Sequence, residues 1–219
     1  EISPGDEPGA AASGWLSAEE RERAERFHFA RDRRRFLARR VFVRSALGAL
    51  LGIAPERLGF RTTPKGAPLL HPASVPALSF SLSHSEEHIL LAVSRERSLG
   101  VDLQAHDRLD ELDRLAGRFL APVEAAAFAE VERADRPAAF FRAWTRKEAA
   151  LKALGEGFFL DPRRVAVGIE ARERAPWSRS DEERLAHLTF LDLSAPQGFS
   201  AALCVERIGW HVREVELEH

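Results

Sequence analysis

Apolar and polar residues in this chain change period three times, from helical spacing to extended spacing, back, and to extended spacing again, and that alternation constrains the fold most. Ser17-Ala-Glu-Glu20 has the form of a capping box, with Ser17 as N-cap and Glu20 three positions on. Helical character then runs to about Leu51, with a break expected near Ala30–Asp32. Phe36, Val41, Val43, Leu47 and Leu50 form its apolar stripe, and Gly52 is its stop. Residues 52–76 hold five prolines and three glycines and read as loop. Ala77–Ser83 and Ile89–Ser94 predict a strand pair about the polar turn Ser85–Glu87, and Val101–Leu103 a further strand. Helical spacing returns in Leu109–Leu120, in Pro122–Glu132, and from Pro137 to Leu154 before a C-cap at Gly155. Arg164–Ile169, His187–Leu193, Ser200–Glu206 and Trp210–Glu216 read as strands. Helices then strands, twice over, imply an α+β protein of two comparable lobes.

A chain of 219 residues has room for one medium domain or two small lobes sharing an interface. With 45% hydrophobic and 30% charged residues, it is neither collagen-like nor disordered. No run approaches the roughly 18 consecutive apolar residues of a membrane span. Cys204 is the single cysteine, so no internal disulfide can form; this fits a reducing, cytoplasmic setting. The first residues lack the basic start and apolar centre of a signal peptide. Residues 1–16 read as a loose N-terminal segment. There is no initiator Met, and residues 217–219 look like a purification-tag remnant.

Four short segments concentrate reactive side chains. Phe80-Ser-Leu-Ser-His84-Ser85 places Ser83 and His84 at a strand's end, facing either a ligand or only their own turn. In Leu99-Gly-Val-Asp-Leu-Gln104, Asp102 points away from Val101 and Leu103 if extended, while Gly100 permits a close approach. There it is either a turn residue or a cation ligand. Trp144, Glu148 and Lys152 follow one another along one helix face at i, i+4, i+8. That spacing suits a plain surface Glu148–Lys152 pair, or, facing a cleft, a metal ligand beside a phosphate ligand. Arg61 and Lys65 sit on a loop stiffened by Gly and Pro, which suits anion binding or plain solvation. Lys65, Lys147 and Lys152 are the only lysines among 32 basic residues.

Together these segments resemble the 4'-phosphopantetheinyl transferase superfamily, in its longer, monomeric, surfactin-activating (Sfp-like) branch. Phe80–Ser85 corresponds to its F-N-x-S-H-S, Gly100–Gln104 to G-[IV]-D-[IL]-E, and Trp144–Lys152 to W-[ST]-x-K-E-[AS]-x-x-K, in the same order. Phe29-Ala-Arg-Asp32, Arg44 and Gly66-x-Pro68 also look like the family. The resemblance implies two similar, pseudo-twofold-related lobes, residues 17–103 and 104–216, each with helices packed on a small antiparallel sheet. Coenzyme A would lie in the cleft between them. It implies transfer of the phosphopantetheine arm of coenzyme A to a serine of an apo acyl or peptidyl carrier protein, releasing adenosine 3',5'-bisphosphate. Asp102 and Glu148 would hold Mg²⁺, with Mn²⁺ left open, and Glu148 or a metal-bound water would take the serine proton. Asp102, Glu148 and Lys152 form the catalytic set. Lys152, Ser83 and His84 would bind phosphate oxygens, and Arg61, Lys65 and Arg23 the nucleotide end. Three positions depart from the pattern: Gln104 replaces a metal-binding Glu, Ser81 and Leu82 alter the F-N-x-S segment, and Ala67 replaces the Lys of G-K-P.

Two other readings compete. Residues 21–44 carry ten arginines against three acids, a local charge of +7 in a chain whose total is -2, as a nucleic-acid-binding helix would. Phe27, Phe29, Phe36, Val41 and Val43 interrupt that charge, so a solvated face or a carrier-steering surface is expected instead, with no nucleic-acid or membrane partner. A catalytically silent scaffold that binds coenzyme A or a carrier is the third reading, resting on Gln104 and Ala67.

Overall fold

The computed structural model describes residues 10–64, 68–71, 78–95, 98–106, 112–155, 161–172, 186–206 and 211–215. After a short helical turn, α1 (Ala10–Ser13), the chain enters α2 (Ala18–Glu25) through the expected capping box. Ser17 Oγ accepts from the Glu20 amide at 3.2 Å, and Glu20 Oε2 accepts from the Ser17 amide at 2.9 Å. The same carboxylate receives Arg40 and Arg44 from α3 (Ala30–Leu51), so a local start signal is also a tertiary tie. The break between the helices falls at 26–29, slightly ahead of the expected Ala30–Asp32. Gly52 ends α3 at φ 66°, a left-handed conformation that glycine adopts without a Cβ clash.

Part of the expected loop 52–76 is a short hairpin, β1 (Phe60–Thr62) with β2 (Pro68–Leu70). A second hairpin joins β3 (Ser79–Ser85) to β4 (His88–Ser94) through Glu86 and Glu87, with Ser85 opposite His88. Helix α3 packs Val43 and Leu47 against Leu58, just ahead of β1, and against Leu70 and Phe80 of these hairpins, closing the first lobe's core. In the second lobe α4 (Leu112–Phe119), α5 (Pro122–Ala129) and α6 (Arg136–Leu154) pack around Phe128, Phe140 and Phe141. Helix α6 ends at Gly155 with φ 64°, as expected.

The central sheet is antiparallel in the order β5 (Leu99–Ala105), β7 (Phe199–Glu206), β6 (Leu188–Asp192). One face carries Phe190, Ala202 and Cys204 against Ala149, Ala150 and Ala153 of α6. The other carries Leu99, Val101, Leu191 and Leu203, with Leu90 and Ala92 of β4 packed against it. Strand β5 therefore touches both lobes. Gly100 makes its approach to α6 feasible: a Cβ there would lie 2.0 Å from the Ala149 carbonyl oxygen.

Two expected strands are not strands. Residues 164–169 instead follow a short 3₁₀ turn, Pro162–Arg164, as irregular chain. Val165, Val167 and Ile169 are buried as alternation predicts, but side chains replace the ladder. Glu124 Oε1 accepts the amides of Val167 and Gly168 at 2.7 and 2.9 Å. Arg146 donates to the carbonyls of Gly168 and Glu170, both at 2.9 Å, and Arg142 to that of Ile169 at 2.6 Å. Of the expected strand Trp210–Glu216, residues 211–215 are exposed and unladdered, and its ends lie outside the described residues.

Glu124 is a buried hub. Its Oε2 accepts from the Ala121 amide at 2.8 Å and from Lys147 Nζ at 2.6 Å. Lys147, fully buried, also donates to the carbonyls of Phe119 and Pro162. Burial holds its pKa below the usual lysine value, with Glu124 opposing. Removing one partner of such a pair strands the other charge. Glu124→Ala is therefore expected to cost about 3–5 kcal/mol in denaturant unfolding; a loss under about 1 kcal/mol would contradict the hub.

Candidate active site

Period-two alternation puts Ser81, Ser83 and Ser85 on one buried face of β3 and Phe80, Leu82 and His84 on the other, of which only His84 is exposed. These serines sew β3 to the edge of β5 that does not pair with β7. Ser81 Oγ accepts the Val101 amide at 3.1 Å, and Ser85 Oγ accepts the Ala105 amide at 2.9 Å. Between them, Ser83 Oγ donates to Asp102 Oδ1 at 2.7 Å. Ser81, a departure from the family pattern, thus has a structural task. Ser83, expected on a phosphate oxygen, here donates its hydroxyl to a carboxylate.

Asp102 shares the α6-facing side of β5 with Gly100 and is 6% exposed. Lys152, one turn beyond Glu148 on α6, donates to Asp102 Oδ1 and to the Val101 carbonyl, each at 2.8 Å. Its contact with the Leu82 carbonyl is long, 3.5 Å. Lys152 therefore pairs with a strand fifty residues earlier in sequence, not as half of a surface Glu148–Lys152 pair. Asp102 Oδ2 is buried and has no hydrogen-bond partner among the described residues. A carboxylate oxygen in that condition is costly unless a cation or donor meets it.

Glu148 is partly buried and close enough to Asp102 to be repelled by it. Desolvation, and then repulsion from Asp102, push its pKa above the usual carboxylate value, with Lys152 opposing. A carboxyl whose charge is disfavoured beside a second carboxylate makes with it a donor set for a hard divalent cation. Gln104, two residues beyond Asp102 on the same strand face, adds only a neutral amide. Among the described residues no group of three His, Cys, Asp or Glu side chains is arranged to hold a metal.

His84 faces a basic cluster. Arg39, on α3, donates to His84 Nε2. A guanidinium only donates, so that nitrogen is the unprotonated acceptor. Desolvation, then the charges of Arg39, Lys152 and Arg35, push the imidazole down to about 4. His84 is thus uncharged at neutral pH. Arg35 anchors the β3–β4 turn through Glu86 at 3.0 Å and Glu87 at 2.6 Å.

The other expected contacts are more dispersed. Arg23 lies on α2 with its guanidinium 5.4 Å from the Phe36 ring centre. Arg61 is exposed on β1, opposite Leu69. Lys65, with Gly66 and Ala67, lies outside the described residues. Trp144 stacks on Phe119 at 4.1 Å, a packing role. Sequence reasoning did not single out Arg39, Ser85, Glu124 or Lys147 for these contacts. The period-two serines and the Arg35–Arg39 spacing of one helical turn were the available signals.

The arginine-rich segment is largely neutralised within the fold. Arg33 pairs with Glu25, Arg35 with Glu86 and Glu87, and Arg40 and Arg44 with Glu20. No helix among the described residues is long and apolar enough to cross a membrane.

Comparison with known proteins gives this geometry a family. Residues 98–204 match the family model described as the 4'-phosphopantetheinyl transferase superfamily, and residues 3–96 match one described as 4'-phosphopantetheinyl transferase, N-terminal. The 4'-phosphopantetheinyl transferase HetI of Nostoc sp. is 35% identical over 196 residues, covering 89% of this chain and 80% of that one. The 4'-phosphopantetheinyl transferase psf-1 of Bacillus pumilus is 31% identical over 182 residues, covering 83% and 71%. A phosphopantetheinyl transferase of Thraustochytrium sp. is 27% identical over 199 residues, covering 86% and 69%. The two matched stretches meet just before β5, the strand that carries Asp102, and with relatives similar over most of its length the chain belongs to the 4'-phosphopantetheinyl transferase superfamily.

Proposed function

We propose that this chain transfers the 4'-phosphopantetheine arm of coenzyme A to a serine of an apo acyl or peptidyl carrier protein, with Mg²⁺, releasing adenosine 3',5'-bisphosphate. The observation that carries this reading is the Asp102 carboxylate. One oxygen is fixed by Ser83 and Lys152; the other is buried without a hydrogen-bond partner among the described residues, and Glu148 feels the Asp102 charge. That donor set fits Mg²⁺, which prefers carboxylate oxygens and commonly keeps phosphate oxygens and waters as its other ligands. Asp102, through Oδ2, and Glu148 would hold it, and the ion would supply charge neutralisation at the pyrophosphate. Mn²⁺ shares the oxygen preference.

The reaction forms a bond from the serine oxygen to the β-phosphorus and breaks the bond from that phosphorus to the bridging oxygen of the pyrophosphate. The serine proton must go to a base. Glu148 fits, because its raised pKa moves it toward the operating pH. Lys152 spends two donors on Asp102 and Val101, and the third, weakly engaged with Leu82, is the one a phosphate oxygen would take. Arg23, Arg61 and Lys65 would hold the nucleotide end. Asp102 and Glu148 come from one chain, which supports a monomeric enzyme. Cys204 is buried with its thiol pKa pushed up by desolvation, consistent with a cytoplasmic setting.

Incubation with coenzyme A, Mg²⁺ and an apo carrier should raise the carrier's intact mass by one phosphopantetheine group, and EDTA should prevent the gain. Coenzyme A binding without transfer, across several carrier types, would favour the silent scaffold.

Glu148→Gln separates stability from activity. An acid whose folded pKa is raised contributes stability fully below its unfolded value, about 4.5, and loses it as pH rises through the folded pKa. At neutral pH the metal-free E148Q protein should therefore melt higher than wild type, while transfer falls by about 10²–10⁴. A variant that melts lower, or that turns over normally, contradicts the assignment.

A further inference from the structure

Five arginines of α3 have their charge met by carboxylates: Arg31, Arg33, Arg35, Arg40 and Arg44. Among the described residues Arg39, like Arg34, has no carboxylate partner; its hydrogen bond goes to His84 Nε2. The guanidinium is disfavoured by burial, then by Arg35 and Arg23, with Asp32 opposing. Lys152 acts on the same imidazole from α6. Cations from α3 and α6 thus converge on one histidine that carries no charge itself.

A fold that neutralises most of a basic helix and holds the half-buried Arg39 guanidinium against other cations has a place for an anion. Recovering that repulsion is what an arriving phosphate would do, and a guanidinium offers it two parallel donors. His84 cannot supply this from Nε2, since that nitrogen is accepting from Arg39. Resting on the transferase reading above, we propose that Arg39 is a phosphate-binding residue of the coenzyme A site and that His84 is the positioning residue that aims it. The phosphate is either in the pyrophosphate, beside Lys152, or the 3'-phosphate, beside Arg23.

The test is calorimetric binding of coenzyme A, 3'-dephospho-coenzyme A and inorganic pyrophosphate to wild type, Arg39→Ala and Arg39→Lys, with carrier kinetics alongside. Arg39→Ala should weaken coenzyme A binding about ten- to a hundredfold, the effect of one charge-assisted hydrogen-bonding group. Arg39→Lys should recover only part, because it restores the charge but not the fork. The KM for coenzyme A should rise while that for the carrier stays unchanged. The ligand-free variant should melt no lower than wild type, since it loses a repelled cation, and a merely structural residue would not behave so. A penalty that persists with dephospho-coenzyme A and pyrophosphate supports the pyrophosphate contact; one that vanishes with dephospho-coenzyme A supports the 3'-phosphate. Unchanged binding of all three ligands overturns the proposal, as does a rise confined to the carrier KM, which would make Arg39 a docking residue. Wild type that binds coenzyme A and loses affinity in the variant, yet transfers nothing, sinks the transferase reading while sustaining the Arg39 site. Wild type that binds none of the ligands overturns both.

Discussion

A carboxylate taken almost wholly out of water obliges three elements of this protein to meet. Asp102 lies on β5, takes a hydroxyl from β3 and an ammonium from α6, and keeps its second oxygen buried and unmet. Burying a charge costs several kcal/mol unless it is paired and hydrogen-bonded. The positions of Ser83 and Lys152 are therefore conditions for Asp102 being where it is. They also explain why β3 runs beside β5 without laddering to it: the serines at 81, 83 and 85 replace the ladder and leave room for a carboxylate. Gly100 brings α6 close enough for Lys152 to complete the clamp.

A second buried pair, Glu124 with Lys147, performs the complementary task of holding α5, α6 and residues 165–169 together. On α6 the neighbours Lys147 and Glu148 divide the work by direction. Lys147 points into the lobe and is spent on structure, whereas Glu148 stays near Asp102 with a charge that is disfavoured in the free protein. Such a site stores electrostatic repulsion that a cation relieves, so stability and function pull Glu148 in opposite directions.

Much of the fold was legible because local signals agreed with the tertiary outcome. Ser17 and Glu20 cap α2, Gly52 and Gly155 end their helices left-handed, and period-two spacing placed β3, β4, β6 and β7. The segment 164–169 misled because alternation reports burial and not the identity of the hydrogen-bond partner. Glu124, Arg142 and Arg146, distant in sequence, satisfy that backbone, and nothing local marks them as doing so. In the candidate site, Asp102, Glu148 and Lys152 were singled out together through the family resemblance, and the structure pairs Lys152 with Asp102 while Glu148 feels the Asp102 charge. The tasks of Ser83 and His84 were not legible, because they depend on Asp102 and Arg39 arriving from other elements. The surplus charge of residues 21–44 looked like an interface for the same reason: its carboxylate partners include Glu86 and Glu87, on a turn that sequence spacing does not connect to α3.

The central claim is that Ser83 and Lys152 fix one oxygen of Asp102 so that the other meets a cation shared with Glu148. A crystal structure with Mg²⁺ and coenzyme A tests it most directly. The account predicts Asp102 Oδ2 and a Glu148 oxygen on the ion at roughly 2.1 Å, with the Ser83 hydroxyl still on Oδ1. An ion bound without Asp102, or a Ser83 hydroxyl that leaves Asp102 for a phosphate oxygen, would contradict it.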